Sequence, residues 1–210
     1  MTDGYRIMLM LSFAYVLAFF PTGEACSQRL EYEIISGNSP IGVLTAVRSD
    51  SAGFTCYRLT TKVRYKFIFD YKIDFLLKAD YKDKALSYAF TEDVVGNKTK
   101  HRSETHWTGR GYSFRQLGEE AQPLDLNRIG YSVAKLYFEA PPANALYVYS
   151  EKHGKNFPLK RLGPHKYQMS PKKGQTNVYD FDAHGRCKKV SVNRGVTSFV
   201  MRLKSSVSKK

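Results

Sequence analysis

The chain has 210 residues, 42% hydrophobic and 14% aromatic, with 15 Tyr and 13 Phe against one Trp. It carries 33 Lys and Arg against 19 Asp and Glu, a formal charge of +14. This is too apolar for a disordered chain, and it has only three cysteines where a disulfide scaffold needs many. It also lacks the long apolar stretches of a multi-span membrane protein, while its length suits one domain with a sizeable core.

Residues 7–20 read IMLMLSFAYVLAFF, preceded by Arg6 and broken by Pro21, Thr22 and Gly23. A charged residue, a short apolar run and then small residues is the order of a secretory signal, and the run is short for a membrane span. Residues 1–27 are therefore expected to be a leader, with cleavage after Ser27 or after Ala25. Lipidation at Cys26 is disfavoured, because Gly23 stands where a Leu-like residue is usual. The expected product is exported, periplasmic or envelope-associated. Its single β domain spans 28–204, and a basic tail, 205–210, is expected to fray.

From Leu59 the alternation is clean. Leu59, Thr61, Val63, Tyr65, Phe67, Phe69, Tyr71, Ile73, Phe75 and Leu77 share one parity. Thr60, Lys62, Arg64, Lys66, Asp70, Lys72, Asp74 and Lys78 take the other. Period two predicts strands with one buried and one wet face, and the length demands a tight turn near Ile68 to Tyr71, read as a two-residue turn. Elsewhere turn residues recur every eight to twelve positions: Gly37-Asn38, Asp50 to Gly53, Lys82 to Lys84, Gly96-Asn97 and Thr108 to Gly111. The rhythm lapses over 119–144, the expected place for a loop and one short helix. Strands resume at LYVYSE, FPLKRL, KYQMS, TNVYDF, CKKVSVN and VTSFVMRL. The prediction is an all-β fold: a curled antiparallel meander of about a dozen strands, an open or half barrel, with one loop insertion.

The segments YEIISGNSPIG, LYFEAP, YSEKHGKNFPLKRL, KYQMSPKKGQTNVYDF and GRCKKVSV, with the aromatic-basic double strand, resemble a family of exported bacterial β-rich proteins known as a domain of unknown function. More remotely that family is similar to periplasmic half-barrel proteins that carry lipids or lipoproteins. The resemblance implies a curved antiparallel sheet. It implies no activity and no catalytic residues.

Chemical motifs are sparse. Asp180 to Gly185 has the look of a calcium loop but offers Ser191 where the loop needs Glu, so it reads as a turn. His101, Glu104 and His106 do not make a three-ligand metal set on one face. No G-x-S-x-G or H-E-x-x-H occurs. The expectation is a protein that is not an enzyme and uses no cofactor or metal. In an exported chain Cys56 and Cys187 can pair or lie buried. The Tyr- and Phe-rich stripe, with Val63, Tyr65, Phe67, Phe69 and Tyr71 at its centre, is the candidate ligand-binding surface for a lipid or other amphiphile on the concave face. Lys62, Arg64, Lys66 and Lys72 on the wet face suggest, as the alternative, a structural or adhesive module that binds anionic envelope polymer or lipid head groups. Export argues against nucleic acid as a partner.

Overall fold

A computed structural model describes residues 26–66, 70–195 and 197–209, so the expected leader, save for its last two residues, lies outside the described residues. Fourteen strands follow the alternation: β1 (Cys26–Ser36), β2 (Ser39–Ser51), β3 (Phe54–Lys66), β4 (Asp70–Lys82), β5 (Ala85–Val95), β6 (Lys98–Trp107) and β7 (Tyr112–Gln116). After a short β8 (Gln122–Leu124) come β9 (Tyr147–Ser150), β10 (Lys155–Gly163), β11 (Lys166–Lys172), β12 (Gln175–Phe181), β13 (Cys187–Asn193) and β14 (Ser198–Lys209). Among the described residues the only helix is one 3-10 turn, Lys135–Tyr137.

All fourteen strands form one sheet in the order β8-β7-β6-β5-β4-β3-β2-β1-β14-β13-β12-β11-β10-β9. Every ladder is antiparallel. Sequence neighbours are sheet neighbours, and β1 lies beside β14, so the order is that of a barrel cut open between β8 and β9. The predicted class, an unclosed all-β meander, is the observed one. The sheet edges β8 and β9 share no ladder, yet side chains span the seam. Thr105 Oγ1 and the Tyr149 hydroxyl lie 2.8 Å apart, and Ser103 Oγ donates to the Glu151 carbonyl at 3.0 Å. At Gly154, φ is +61°, and an added Cβ would lie 2.5 Å from the Phe114 ring, so only glycine lets the β9–β10 turn sit on β7.

Two sequence expectations need correction. Lys66 pairs with Asp70, so three residues, 67–69, separate the two strands. A two-residue turn would have set odd positions opposite even ones. Three residues keep Leu59 opposite Leu77 and Val63 opposite Ile73, preserving the stripe. The tail does not fray at 205, since β14 continues to Lys209 and Ser205 to Lys209 pair with Glu31 to Ser27 of β1. Backbone pairing holds a polar sequence that side-chain pattern alone assigns to coil.

In an antiparallel meander, successive hairpins fall at opposite ends. One end gathers the turns after β2, β4, β6, β10 and β12. The other gathers those after β1, β3, β5, β9, β11 and β13. The concave face carries the core: Leu30, Tyr32 and Ile34 on β1, Tyr57 and Leu59 on β3, Leu77, Ala79 and Tyr81 on β4, and Tyr179 and Phe181 on β12 are all buried. β-bulges at Asp80/Tyr81 and Asp180/Phe181 shift the inward parity of the adjoining ladders, which is why Leu86 and Ala89 both face in.

The segment between β8 and β9 runs through the concave face at the first end and closes it. Ile129, Ala134, Leu136, Tyr137 and Phe138 are buried there. The Leu86 N–H donates to the Ile129 carbonyl at 2.8 Å, and the Tyr32 hydroxyl bridges the carbonyls of Cys187, at 2.7 Å, and Tyr137, at 3.3 Å. Phe138 packs on Tyr57 with ring centroids 5.4 Å apart. The loop-and-helix expectation for 119–144 thus resolves into a plug, with β8 as an unforeseen short strand.

Candidate functional site

Above the plug, toward the open end, the concave face encloses a cavity of about 740 Å³. That is within the ~300–1,000 Å³ of ordinary small-molecule sites. Its walls are the stripe read from the sequence, Leu59, Thr61, Val63, Ile73, Phe75 and Leu77, facing Met169, Val190, Val192, Phe199 and Met201 from β11, β13 and β14. Val133 and Tyr137 of the plug also line it and make its floor.

Of the candidate ligand-binding residues, Val63 lines this cavity. Tyr65 and Tyr71 are paired across β3 and β4, at the open end of the ladder. Phe67 and Phe69 lie outside the described residues. The opposite parity, with Lys62, Arg64 and Lys72, faces outward.

The floor holds the most unusual group in the molecule. Glu151 is 1% exposed. Its Oε1 accepts from Ser132 Oγ at 2.6 Å and from the Ala134 N–H at 3.0 Å, while the Tyr81 hydroxyl donates to Ser132 at 2.7 Å. Oε2 has no hydrogen-bond partner among the described residues. Burial raises the Glu151 pKa, against the lowering pull of Ser132 and the backbone N–H groups. Both donors address Oε1, which leaves Oε2 as an unpaired polar atom at the cavity floor. Asn177, 7% exposed on β12, also lines the cavity, and its Oδ1 too is unpartnered among the described residues. Sequence reading missed Glu151 because its burial depends on the plug, through Ser132 and Ala134, and on Ser103 of β6, 48 residues away.

Beside Glu151, Ser150 Oγ and His153 Nδ1 lie 2.9 Å apart. The spacing is that of a nucleophile and its base, but the surroundings do not suit one. Burial, then the Lys152 charge, pushes the His153 pKa down to about 4, leaving a weak base at neutral pH. Among the described residues no acid orients the ring from its other nitrogen, as such a pair would need. The bond is accounted for by the β9–β10 turn, which it closes on itself. Burial and then Lys152 also lower the pKa of His101. Among the described residues no group of three or more metal-ligating side chains gathers.

Asp182 lies in the β12–β13 turn. Its Oδ1 accepts from the N–H groups of His184 and Arg186, both at 2.9 Å, and its Oδ2 from the Arg186 guanidinium at 2.9 Å. Its oxygens are thus committed to the turn, as the sequence suggested.

Of the two alternatives drawn for Cys56 and Cys187, the bridge is not made. Cys26, Cys56 and Cys187 are free thiols, and Cys56 is exposed while Cys187 is buried. Cys56 has outward parity on β3 and Cys187 faces inward on β13, with β2, β1 and β14 between them. Neither alternative drawn for the pair, a bridge or joint burial, holds.

A profile described as Domain of unknown function (DUF6134) matches residues 32–204. No curated protein matches the chain. A solved structure titled as a beta-barrel-like protein of domain of unknown function DUF1849, from Brucella abortus, superposes with a TM-score of 0.56 at 9% identity, covering 88% of this chain and 98% of that one. At that identity the likeness is one of fold.

Proposed function

Since the chain belongs to the DUF6134 family of domains of unknown function, its own geometry is the guide, and we propose that it is an exported, non-catalytic envelope protein holding an apolar or amphiphilic ligand in the cavity at the open end of its sheet. The observation that carries this reading is the 740 Å³ space walled by Val63, Ile73, Phe75, Leu77, Phe199 and Met201. Protein interiors are ordinarily close-packed, and a space of this size lined by apolar side chains is room for a guest. The leader-like run at residues 7–20 supports export.

The outward face supports the alternative, a binder of anionic polymer, poorly. Its cations are interleaved with acids: Arg64 and Lys72 with Asp74, Arg102 with Glu92, Arg115 with Glu104, Lys166 with Asp180, and Lys204 with Glu33. These pairs offset part of the outward positive charge.

Uptake of the neutral apolar dye N-phenyl-1-naphthylamine tests the cavity. One dye should bind per chain, and Val63→Trp, which fills the cavity from its wall, should reduce uptake at least tenfold without changing the far-ultraviolet circular dichroism. A wild-type protein that takes up no dye would sink the proposal.

A further inference from the structure

The residues lining the cavity carry a surplus of positive charge. Among the cavity-lining residues, the cations are Lys100, Lys152, Lys172 and Arg194, and the acids are Asp93 and Glu151. Lys152 is ion-paired with Asp93. Lys100, Lys172 and Arg194 have no ion-pair partner among the described residues. Glu151 sits at the floor, bonded to Ser132 and Ala134 of the plug, while the three cations lie at the mouth. His153 also lines the cavity, and burial and then Lys152 lower its pKa, as they do that of His101.

Topology places these three cations together at the open end. Lys100 is near the start of β6, Lys172 ends β11, and Arg194 comes directly after β13. Unpaired positive charge at the mouth of a low-dielectric cavity concentrates its field there and favours an anion. The space behind the mouth sets the length of the chain attached to that anion. At roughly 30 Å³ per water-sized group, it has room for about 25 non-hydrogen atoms, the size of one long acyl chain with its head.

Resting on the cavity reading above, we infer that the ligand is a single-chain amphiphile with an anionic head. Its chain lies along the apolar walls, and its head seats at the mouth against Lys100, Lys172 and Arg194. Carboxylate and phosphate monoester heads share this chemistry.

Displacement of bound N-phenyl-1-naphthylamine by four sixteen-carbon compounds, each below its micelle-forming concentration, tests the assignment. Hexadecanoate and hexadecyl phosphate represent the two anionic heads, with hexadecanol and hexadecyltrimethylammonium as neutral and cationic controls. At least one anion should displace dye at a concentration tenfold or more below the alcohol, and whichever does so identifies the head. The advantage should shrink with added salt. It should fall below about threefold in a Lys100→Gln, Lys172→Gln, Arg194→Gln variant whose dye affinity is unchanged, which shows that the cavity is intact. Equal displacement by alcohol and anions, with dye bound normally, would overturn the head-group assignment and leave the cavity reading standing. Failure of the dye itself to bind would overturn both.

Discussion

At the closed end of the sheet, the hydroxyls of Tyr32, Tyr81, Tyr112 and Tyr131 donate, in turn, to the Cys187 carbonyl, Ser132 Oγ, the Leu86 carbonyl and the Glu139 carbonyl. At the open end, Glu151 Oε2 and Asn177 Oδ1 are unpartnered among the described residues, and Ile73 stays 36% exposed. The same strands run through both ends, and inward-facing apolar side chains occur at each. What differs is the plug, which fills the closed end and stops at the cavity floor, where Ser132 and Ala134 satisfy only one oxygen of Glu151. A buried polar atom left unpaired costs about 1–3 kcal/mol. A fold that satisfies these four tyrosines at one end while leaving such atoms at the other concentrates its tightest packing at the closed end and leaves open the space that the proposed guest would need.

The largest effect expected is a contrast between two truncations. Leu136, wholly buried in the plug, should cost about 2–5 kcal/mol as Leu136→Ala, because its site cannot collapse around the lost atoms. Val63→Ala borders space that is already empty, and should cost about 1 kcal/mol or less. Urea unfolding of the two variants measures both. Equal costs would mean that the two ends are packed alike and that the comparison fails.

The seam between the two sheet edges should respond next. Gly154→Ala imposes a left-handed backbone on alanine and drives a methyl into the Phe114 ring, which should cost about 1–3 kcal/mol. Adding Phe114→Leu should return part of that loss, since the two residues share one contact. Additive costs would show that the seam is not held at this point.

Much of the architecture is legible in the sequence. The odd-numbered stripe through β3 and β4 faces the cavity because period two is fixed by strand geometry and needs no tertiary information. The parity that puts Leu59 and Val63 inside also puts Cys56 outside with Lys62, so the same pattern already spoke against both a bridge to Cys187 and joint burial with it. Glu151 was not. Its environment is assembled from Ser132, Ala134 and Ser103, and no local alternation reports that a segment from elsewhere will cover a carboxylate. The mouth charges are hidden for the same reason, since Lys100, Lys172 and Arg194 meet only when the curl brings β6 opposite β11 and β13.

A smaller effect, confined to the boundary between the two ends, comes from Glu151. Its folded pKa is raised above the ordinary carboxylate value by burial. The stability this provides is full below the unfolded pKa, near 4.3, and is lost as pH rises through the folded value, because the unfolded chain releases the proton first. Glu151→Gln keeps the acceptor for Ser132 and Ala134 and cannot ionise. The variant should match wild type at pH 4 and melt at a higher temperature at pH 8, with the gap widening between. A gap that is the same at both pH values would mean that Glu151 is not buried as a neutral acid.

The smallest effect leaves stability untouched and compares the inside of the closed end with its outside. Cys56, opposite Asp80 on the outer face of β3, is exposed, yet burial of its sulfur and the Asp80 carboxylate push its pKa up to about 11. Thiolate is the reactive form, so at pH 7 Cys56 has roughly a hundredth of the thiolate of a thiol with a pKa near 9, and should react that much more slowly. Cys187 lies beneath the plug, its carbonyl tied to Tyr32, and burial raises its pKa as well. In a Cys26→Ser background at pH 7, a maleimide should label one site slowly and the second only on unfolding, with mass spectrometry assigning the first to Cys56. Replacing Asp80 with Asn should speed labelling at Cys56 and leave Cys187 protected, since the carboxylate acts on one face of the sheet and the plug on the other. Prompt native labelling of Cys187 would mean that the plug opens on the timescale of the reaction, and the closed end would then be closed in name only.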